Sequence, residues 1–188
     1  SLGGVWRGQV GAVDGCHITT EAPPPSVPDA KKYYVARKGK YALLLMAVAD
    51  AQSRFLFCDI SQVPTTHDSL AWSTTTLGQR LRDGDPPEPF FISGDSAFSL
   101  SNSLITPSSG TALYSDAFDY VQSSERIPVE CAFGILVRRW GIFWRPLALR
   151  FDRRAAVIGA CLLLHNFCVD EQVSEYAMRW RNGLGELQ

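Results

Sequence analysis

Three acidic residues occupy positions where a carboxylate is unusual. Asp14 interrupts the apolar run VGAVDGCHI (residues 10–18), Asp95 ends the run FFISGD, and Glu130 borders the apolar stripe of a predicted helix. An isolated carboxylate in or beside a buried strand is unfavourable unless a positive charge compensates it. Oxygen ligands of this kind select a hard divalent cation, so the three acids predict a site for Mg²⁺ or Mn²⁺.

Two such ions held close together promote phosphodiester cleavage, because one activates the attacking oxygen and the other stabilises the leaving oxygen. Asp14, Asp95 and Glu130 are therefore candidates for both metal ligands and catalytic residues. Each acid taken singly also has an ordinary interpretation as a turn, cap or solvated residue. The elements that carry the acids decide between these interpretations.

The first half of the chain predicts a small sheet. Residues 10–18 form a short apolar strand, and residues 41–50 and 54–60 flank the link AQS as an antiparallel hairpin. A helix is predicted from Thr66 to near Gly84. The next strand, at residues 90–95, follows a helix, so a right-handed crossover places it parallel in the same sheet.

The second half predicts two main helices. Residues 101–122 are rich in loop-forming residues, with a short edge strand expected in LITPSSG. An amphipathic helix is predicted at 124–140 and a buried one at 153–172, because the latter is apolar over most of its circumference. A length of 188 residues suits one core, so residues 1–188 are expected to form a single domain.

Six motifs occur in an order that identifies a family. GAVDGCHI, YYVARKGKYALLL, TTHDSLAW, GDSAF, VECAFGILVRRW and LLLHNFC together resemble the DDE endonuclease domain of PIF/Harbinger-type transposases. The resemblance covers roughly residues 10–170, and the 35 residues from Asp95 to Glu130 agree with it. It implies an α/β, ribonuclease H-like mixed sheet flanked by helices.

The resemblance also implies the chemistry and its partners. Asp14, Asp95 and Glu130 would hold two Mg²⁺ or Mn²⁺ ions and cut and join DNA. The family's DNA-binding region of helix-turn-helix character has no counterpart here, so a separate DNA-binding domain or protein is expected. Nuclear localisation follows from the resemblance alone, and a homo-oligomer is compatible with it. Pro128 departs from the expected pattern, since a proline inside a helix bends it.

Basic residues are concentrated in one stretch. Residues 126–154 contain seven arginines and two acids, although the whole chain carries a net charge of −1. Arginine suits bidentate contacts with phosphate, whereas a solvated helix face is the alternative interpretation. Arg126 can also pair with Glu130 four residues later. The candidate DNA-binding residues are Arg37, Lys38, Arg126, Arg138, Arg139 and Arg145.

Two further groups have open roles. His67 and Asp68 precede a predicted helix and suit helix capping, with proton transfer near a metal as the alternative. Cys161, His165 and Cys168 share one helix face at zinc-ligand spacing, but no fourth ligand is evident and the face must pack, so a structural role is preferred.

The composition excludes a membrane protein, because no apolar run approaches the roughly 20 residues of a membrane helix. Two functions remain. The preferred one is a metal-dependent nuclease and strand transferase, and the alternative is a domesticated adaptor that keeps the fold to bind DNA or protein.

Overall fold

A computed structural model describes residues 7–84, 89–108 and 115–171 of the chain. Its strands are β1 (Gln9–Thr20), β2 (Tyr34–Val35), β3 (Lys40–Ala49), β4 (Phe55–Asp59), β5 (Phe91–Ser93) and β6 (Leu104–Ile105). Its α-helices are α1 (Asp68–Thr74), α2 (Thr76–Arg82), α3 (Ser115–Ser124), α4 (Ile127–Arg139) and α5 (Phe151–Asp170). Short 3₁₀ turns lie at Ala30–Tyr33, Ala36–Lys38 and Gly141–Trp144.

The strands form one mixed sheet in the order β2, β3, β1, β5, β6, with β4 also paired to β3. β1, β3 and β4 are antiparallel neighbours, which confirms the predicted meander. β5 runs parallel to β1, and β6 runs parallel to β5 at the edge. The parallel placement of β5 and the edge strand in LITPSSG are both confirmed. The sheet with its helices is the predicted α/β, ribonuclease H-like fold.

Helices cover both faces of the sheet, and β3 is buried on both sides. On one face Leu43, Leu45 and Ala47 pack with α4 and α5. On the other face Leu44 and Met46 pack with α1 and α2. Because successive strand residues point to opposite faces, an uninterrupted apolar strand is what a sheet covered on both faces requires.

Three helix predictions need correction. The single helix expected from Thr66 to Gly84 is two helices, because buried Thr75 has extended backbone and its hydroxyl accepts a hydrogen bond from the Gly78 amide at 3.0 Å. Residues 115–122, expected to be rich in loops, belong to α3, and so does Ser124, which was predicted to begin the following helix; that helix, α4, begins at Ile127 instead. α5 is only half buried, since the side chains of Leu163 and Phe167 are exposed.

The proline departure has a simple explanation. α4 begins at Ile127, which places Pro128 in the first helical turn. A first-turn residue has no intrahelical acceptor for its amide, so proline is tolerated there and does not bend the helix. Glu130 therefore lies on a regular helix.

The motif LLLHNFC ties α5 to the turn between β3 and β4. Asn166 accepts a hydrogen bond from the Phe55 amide and donates one to the Phe55 carbonyl, both at 2.8 Å. The fully buried His165 ring bonds through Nε2 to the carbonyl of Ser53 at 2.8 Å. These contacts give His165 a structural role, and no three metal-binding side chains group together in the parts of the chain that the structure describes.

Candidate active site

Asp14 lies in the middle of β1, beyond the point where β5 stops. The last residue pair between these strands is Ala12 with Ser93, whereas Asp14 pairs on its other side with Ala47 of β3. Alternation along the strand places Asp14 on the same face as Ala12 and Ile18, which is the face covered by α4. The acid therefore borders a gap in the sheet beneath a helix.

Asp95 enters this gap from the turn that follows β5. Its carboxylate accepts a hydrogen bond from the Ala97 amide at 2.9 Å, which fixes the turn. The preceding residue, Gly94, is buried, and a Cβ atom there would lie 3.0 Å from the Phe98 ring and 3.2 Å from Val13. Glycine thus lets the turn lie directly against β1.

Electrostatics show that the two aspartates share one site. Burial raises the pKa of Asp14 from 3.8 to about 6, although a hydrogen bond from the Gly15 amide, at 2.7 Å, opposes the rise. The charge of Asp95 contributes to this rise, and that of Arg126 opposes it. A nearby cation would stabilise the ionised form of this carboxylate, because it would offset the burial and the repulsion from Asp95.

Asp68 is a third acid of the same region. It is the first residue of α1 and approaches β1 from the opposite face, where a Cβ atom on Gly15 would lie 3.0 Å from its Oδ1. Burial raises the pKa of Asp68, and the charge of Asp95 adds to the rise. Its neighbour His67 makes no capping hydrogen bond through its side chain, so the capping interpretation is wrong for His67.

Glu130 contacts an arginine rather than the aspartates. Its Oε1 lies 3.1 Å from the guanidinium of Arg126, whose side chain is 17% exposed while that of Glu130 is 54% exposed. This is the competing pair that the spacing of four residues predicts. Arg126 thereby serves two acids, because it also lowers the pKa of Asp14.

The fit of these residues to a divalent cation is partial. Asp14 and Asp95 supply hard oxygen ligands and repel one another, which is the chemistry that Mg²⁺ or Mn²⁺ relieves. Within residues 7–84, 89–108 and 115–171, however, no three His, Cys, Asp or Glu side chains are arranged to hold a metal. The charge of Asp95 acts on Asp14, whereas Glu130 is ion-paired with Arg126.

The predicted basic residues divide into two groups. Arg139 donates to the carbonyl of His165 at 3.2 Å, which joins α4 to α5, and Arg126 pairs with Glu130. Arg138 and Arg145 are exposed at the end of α4 and beyond it. Arg37 and Lys38 are also exposed, but they lie on the opposite side of the sheet, in the turn that precedes β3.

Sequence reasoning missed two residues at this site. Gln122 of α3 is fully buried and its Nε2 donates to the carbonyl of Gly94, next to Asp95. His17 of β1 hydrogen-bonds to the Pro64 carbonyl and to Lys38. A lone glutamine in a polar segment gives no signal for a contact 28 residues away. His17 belongs to the motif GAVDGCHI, in which the chemistry of a metal site points to Asp14 alone.

Comparison with known proteins agrees with this geometry. The family model described as "DDE superfamily endonuclease" matches residues 13–166. The chain is 28% identical to the ALP1-like protein of Arabidopsis thaliana over a 178-residue alignment that covers 85% of this chain and 43% of that protein. HARBI1 of Mus musculus is 25% identical over 173 residues, covering 87% of this chain and 46% of its own length.

A third relative, HARBI1 of Rattus norvegicus, is 30% identical over 100 residues, covering 53% of this chain and 27% of its own length. The chain thus spans less than half the length of these relatives. No solved structure matches it.

Proposed function

Since the chain belongs to the DDE superfamily of endonucleases, we propose that it is the catalytic domain of a transposase that cuts and joins DNA phosphodiesters. The observation that carries this proposal is the pairing of β5 with β1, which sets Asp95 beside the half-buried Asp14. A buried carboxylate whose pKa is raised further by the charge of a second acid suits a cation-dependent site. Water, and then a DNA 3′ hydroxyl, would be the nucleophiles.

Asp14 and Asp95 would hold the metal, with Glu130 as the third acid. When bound, two Mg²⁺ or Mn²⁺ ions would activate the attacking oxygen and stabilise the leaving one. For Glu130 to act with the aspartates, its carboxylate has to give up the ion pair with Arg126. Until that pair opens, the charge of Arg126 offsets part of the negative charge of Glu130 and Asp14. The bond from Gln122 to the Gly94 carbonyl and the turn at Asp95 would hold Asp95 in position.

The partners follow from the same proposal. DNA is the substrate, and a separate DNA-binding domain or protein would select its sequence, because the chain covers less than half of its relatives. Nuclear localisation is part of the proposal and is supported by the family resemblance alone. No helix among the described residues is long and apolar enough to cross a membrane. A homo-oligomer, which would hold two DNA ends together, is compatible with this function.

One observation favours a second function. Glu130 is ion-paired with Arg126, and no three-ligand metal group occurs among the described side chains. A domesticated adaptor that binds DNA or protein without cutting would have no need to release this pair. The two functions share the fold and differ in catalysis.

A cleavage assay separates them. The protein is incubated with terminal-repeat DNA and Mg²⁺ or Mn²⁺, alongside Asp95→Asn and the control Asp83→Asn. Asp83 is an exposed acid at the end of α2, and its carboxylate makes no hydrogen bond within the described residues. Cleavage by the wild type and by Asp83→Asn, but not by Asp95→Asn, supports the nuclease. If Asp95→Asn cuts as fast as the wild type, the proposed site is wrong.

The adaptor predicts a different pattern. The wild type then binds DNA without cutting it in either metal, and Asp95→Asn binds equally well. Isothermal titration of Mn²⁺ gives a readout that does not depend on activity. The nuclease predicts that the wild type binds Mn²⁺ and that Asp95→Asn binds it more weakly, whereas the adaptor predicts no difference.

A further inference from the structure

A cavity of about 690 Å³ lies on the α1 side of β1. Its walls come from β1, from the turn before β3 and from the segment that leads into α1. Asp68, whose pKa is raised by the charge of Asp95, forms part of the wall, so the cavity adjoins the candidate active site. Its lining includes His17, Val35, Arg37, Pro64, His67 and Asp68.

His17 joins the three walls. Its Nε2 lies 3.0 Å from the carbonyl of Pro64, which can only accept, so Nε2 carries the proton. Nδ1 then accepts a hydrogen bond from the ammonium of Lys38 at 3.0 Å. Burial lowers the pKa of His17, and the charges of Lys38 and Arg37 lower it further, which keeps the ring neutral. The contact holds the Lys38 ammonium beside the cavity.

Arg37 and Lys38 place two positive charges beside the cavity, whose wall also carries the Asp68 carboxylate, and the charge of Arg37 lowers the pKa of that carboxyl. Arg37 and Lys38 are exposed, and neither forms an ion pair with any residue in the described ranges. On the α4 face, by contrast, Arg126 is paired with Glu130 and Arg139 donates to a backbone carbonyl. Arg37 and Lys38 are therefore basic groups beside this cavity that are available to an anion.

We propose that this cavity binds one nucleotide of the DNA strand next to the bond that is cut, with Arg37 and Lys38 on its phosphodiester. The proposal rests on the proposed function. A volume of this size lies in the range of sites for single small molecules. Guanidinium and ammonium groups are the usual partners of phosphate. The cavity wall includes Asp68, which lies against Gly15, the neighbour of Asp14 on β1, so a nucleotide held here would lie close to the candidate active site.

The three histidines of the chain allow binding at this cavity to be measured without catalysis. His17 and His67 line the cavity, whereas His165 is fully buried and bonded to Ser53. Imidazole resonances of ¹⁵N-labelled protein are recorded in EDTA during titration with a short single-stranded oligonucleotide. Parallel titrations use inorganic phosphate and an uncharged nucleoside.

We expect the oligonucleotide, and phosphate at higher concentration, to shift the resonances of His17 and His67 and leave those of His165 unchanged. No shift at His17 and His67 would overturn the proposal. Equal shifts at all three histidines would also overturn it, because they would report a change of the whole domain. Shifts produced by the nucleoside but not by phosphate would assign the cavity to base recognition instead.

Substitution of Arg37 provides a second test. Arg37→Ala should weaken oligonucleotide binding and flatten the plot of log affinity against log salt by roughly 0.7, the value of one single-strand phosphate contact. Arg37→Lys should keep most of that slope. The control Lys31→Ala removes one exposed charge from the same segment, outside the cavity lining. Equal effects of Arg37→Ala and Lys31→Ala would contradict a specific contact.

Failure of the cavity proposal can be distinguished from failure of the proposed function. If Asp95→Asn abolishes cleavage while Arg37→Ala binds DNA as the wild type does, the nuclease stands and the cavity proposal is wrong. If the wild type does not cleave but the oligonucleotide shifts the resonances of its His17 and His67, the cavity proposal stands and the adaptor is favoured.

Discussion

The stability of the metal-free protein should increase when the charge of Asp14 is removed. Burial raises the pKa of this carboxyl to about 6, and the charges of Asp95 and Asp68 contribute in the same direction. The folded protein therefore holds the Asp14 proton more tightly than the unfolded chain does. Asp14→Asn keeps the shape of the side chain and removes its ionisation.

The magnitude follows from the two pKa values. A rise from 3.8 to about 6 corresponds to about 3 kcal/mol, because each pKa unit is worth about 1.4 kcal/mol. Between these values the folded state binds more protons than the unfolded state, so the free energy of unfolding falls as pH rises. This contribution is complete below pH 3.8 and is lost above about pH 6.

Urea unfolding in EDTA at pH 4 to 8 measures the effect. The difference between Asp14→Asn and the wild type should grow across this range and level off above about pH 6. The upper limit is about 3 kcal/mol, or roughly 6 to 12 °C in Tm. The control Asp83→Asn, at an exposed acid, should show no such growth. A difference independent of pH, or a less stable Asp14→Asn at pH 8, would refute the reasoning.

Three further predictions concern other contacts. Asn166→Ala should lower the free energy of unfolding by about 2 kcal/mol, since each of its two hydrogen bonds to Phe55 contributes about 1 kcal/mol; chemical denaturation measures this, and the exposed Asn102→Ala should change little. Gln122→Met should lower kcat for cleavage by roughly tenfold and leave KM for DNA unchanged, because Gln122 bonds only to the backbone beside Asp95; a raised KM with an unchanged kcat would contradict that role. Calcium in place of magnesium should preserve DNA binding and suppress cleavage, because calcium accepts looser coordination; equal cleavage rates in both ions would argue against the mechanism.

Hydrophobic patterning was sufficient to predict the sheet. β3 is apolar at nearly every position because it is buried on both faces, and the helix between β4 and β5 requires the parallel crossover that the structure shows. α3 was missed because SDAFDYVQSS is polar on most of its surface. The break at Thr75 was missed because its hydroxyl caps a helix that continues the same apolar spacing.

The parts of the candidate site that depend on neighbouring residues in the sequence could be predicted. Asp14 and Asp95 were identified because an acid beside an apolar strand needs compensation, and the Arg126 and Glu130 pair follows from helical spacing. The contacts of Gln122 and His17 depend on residues 28 and 47 positions away, which no local pattern encodes. Their roles required the folded chain.

The hydrogen bonds of Asn166 to Phe55 also constrain how the domain can form during synthesis. The two residues lie 111 positions apart, so β1, β3 and β4 leave the ribosome long before α5 can cover them. Until then Leu43, Leu45 and Ala47 remain in contact with water, which makes the nascent hairpin a target for chaperones and a risk for aggregation. Asp14 stays hydrated in that intermediate and acquires its unfavourable environment only when α4 and α5 dock. The domain should therefore become resistant to protease in one late step, after residue 166 has emerged.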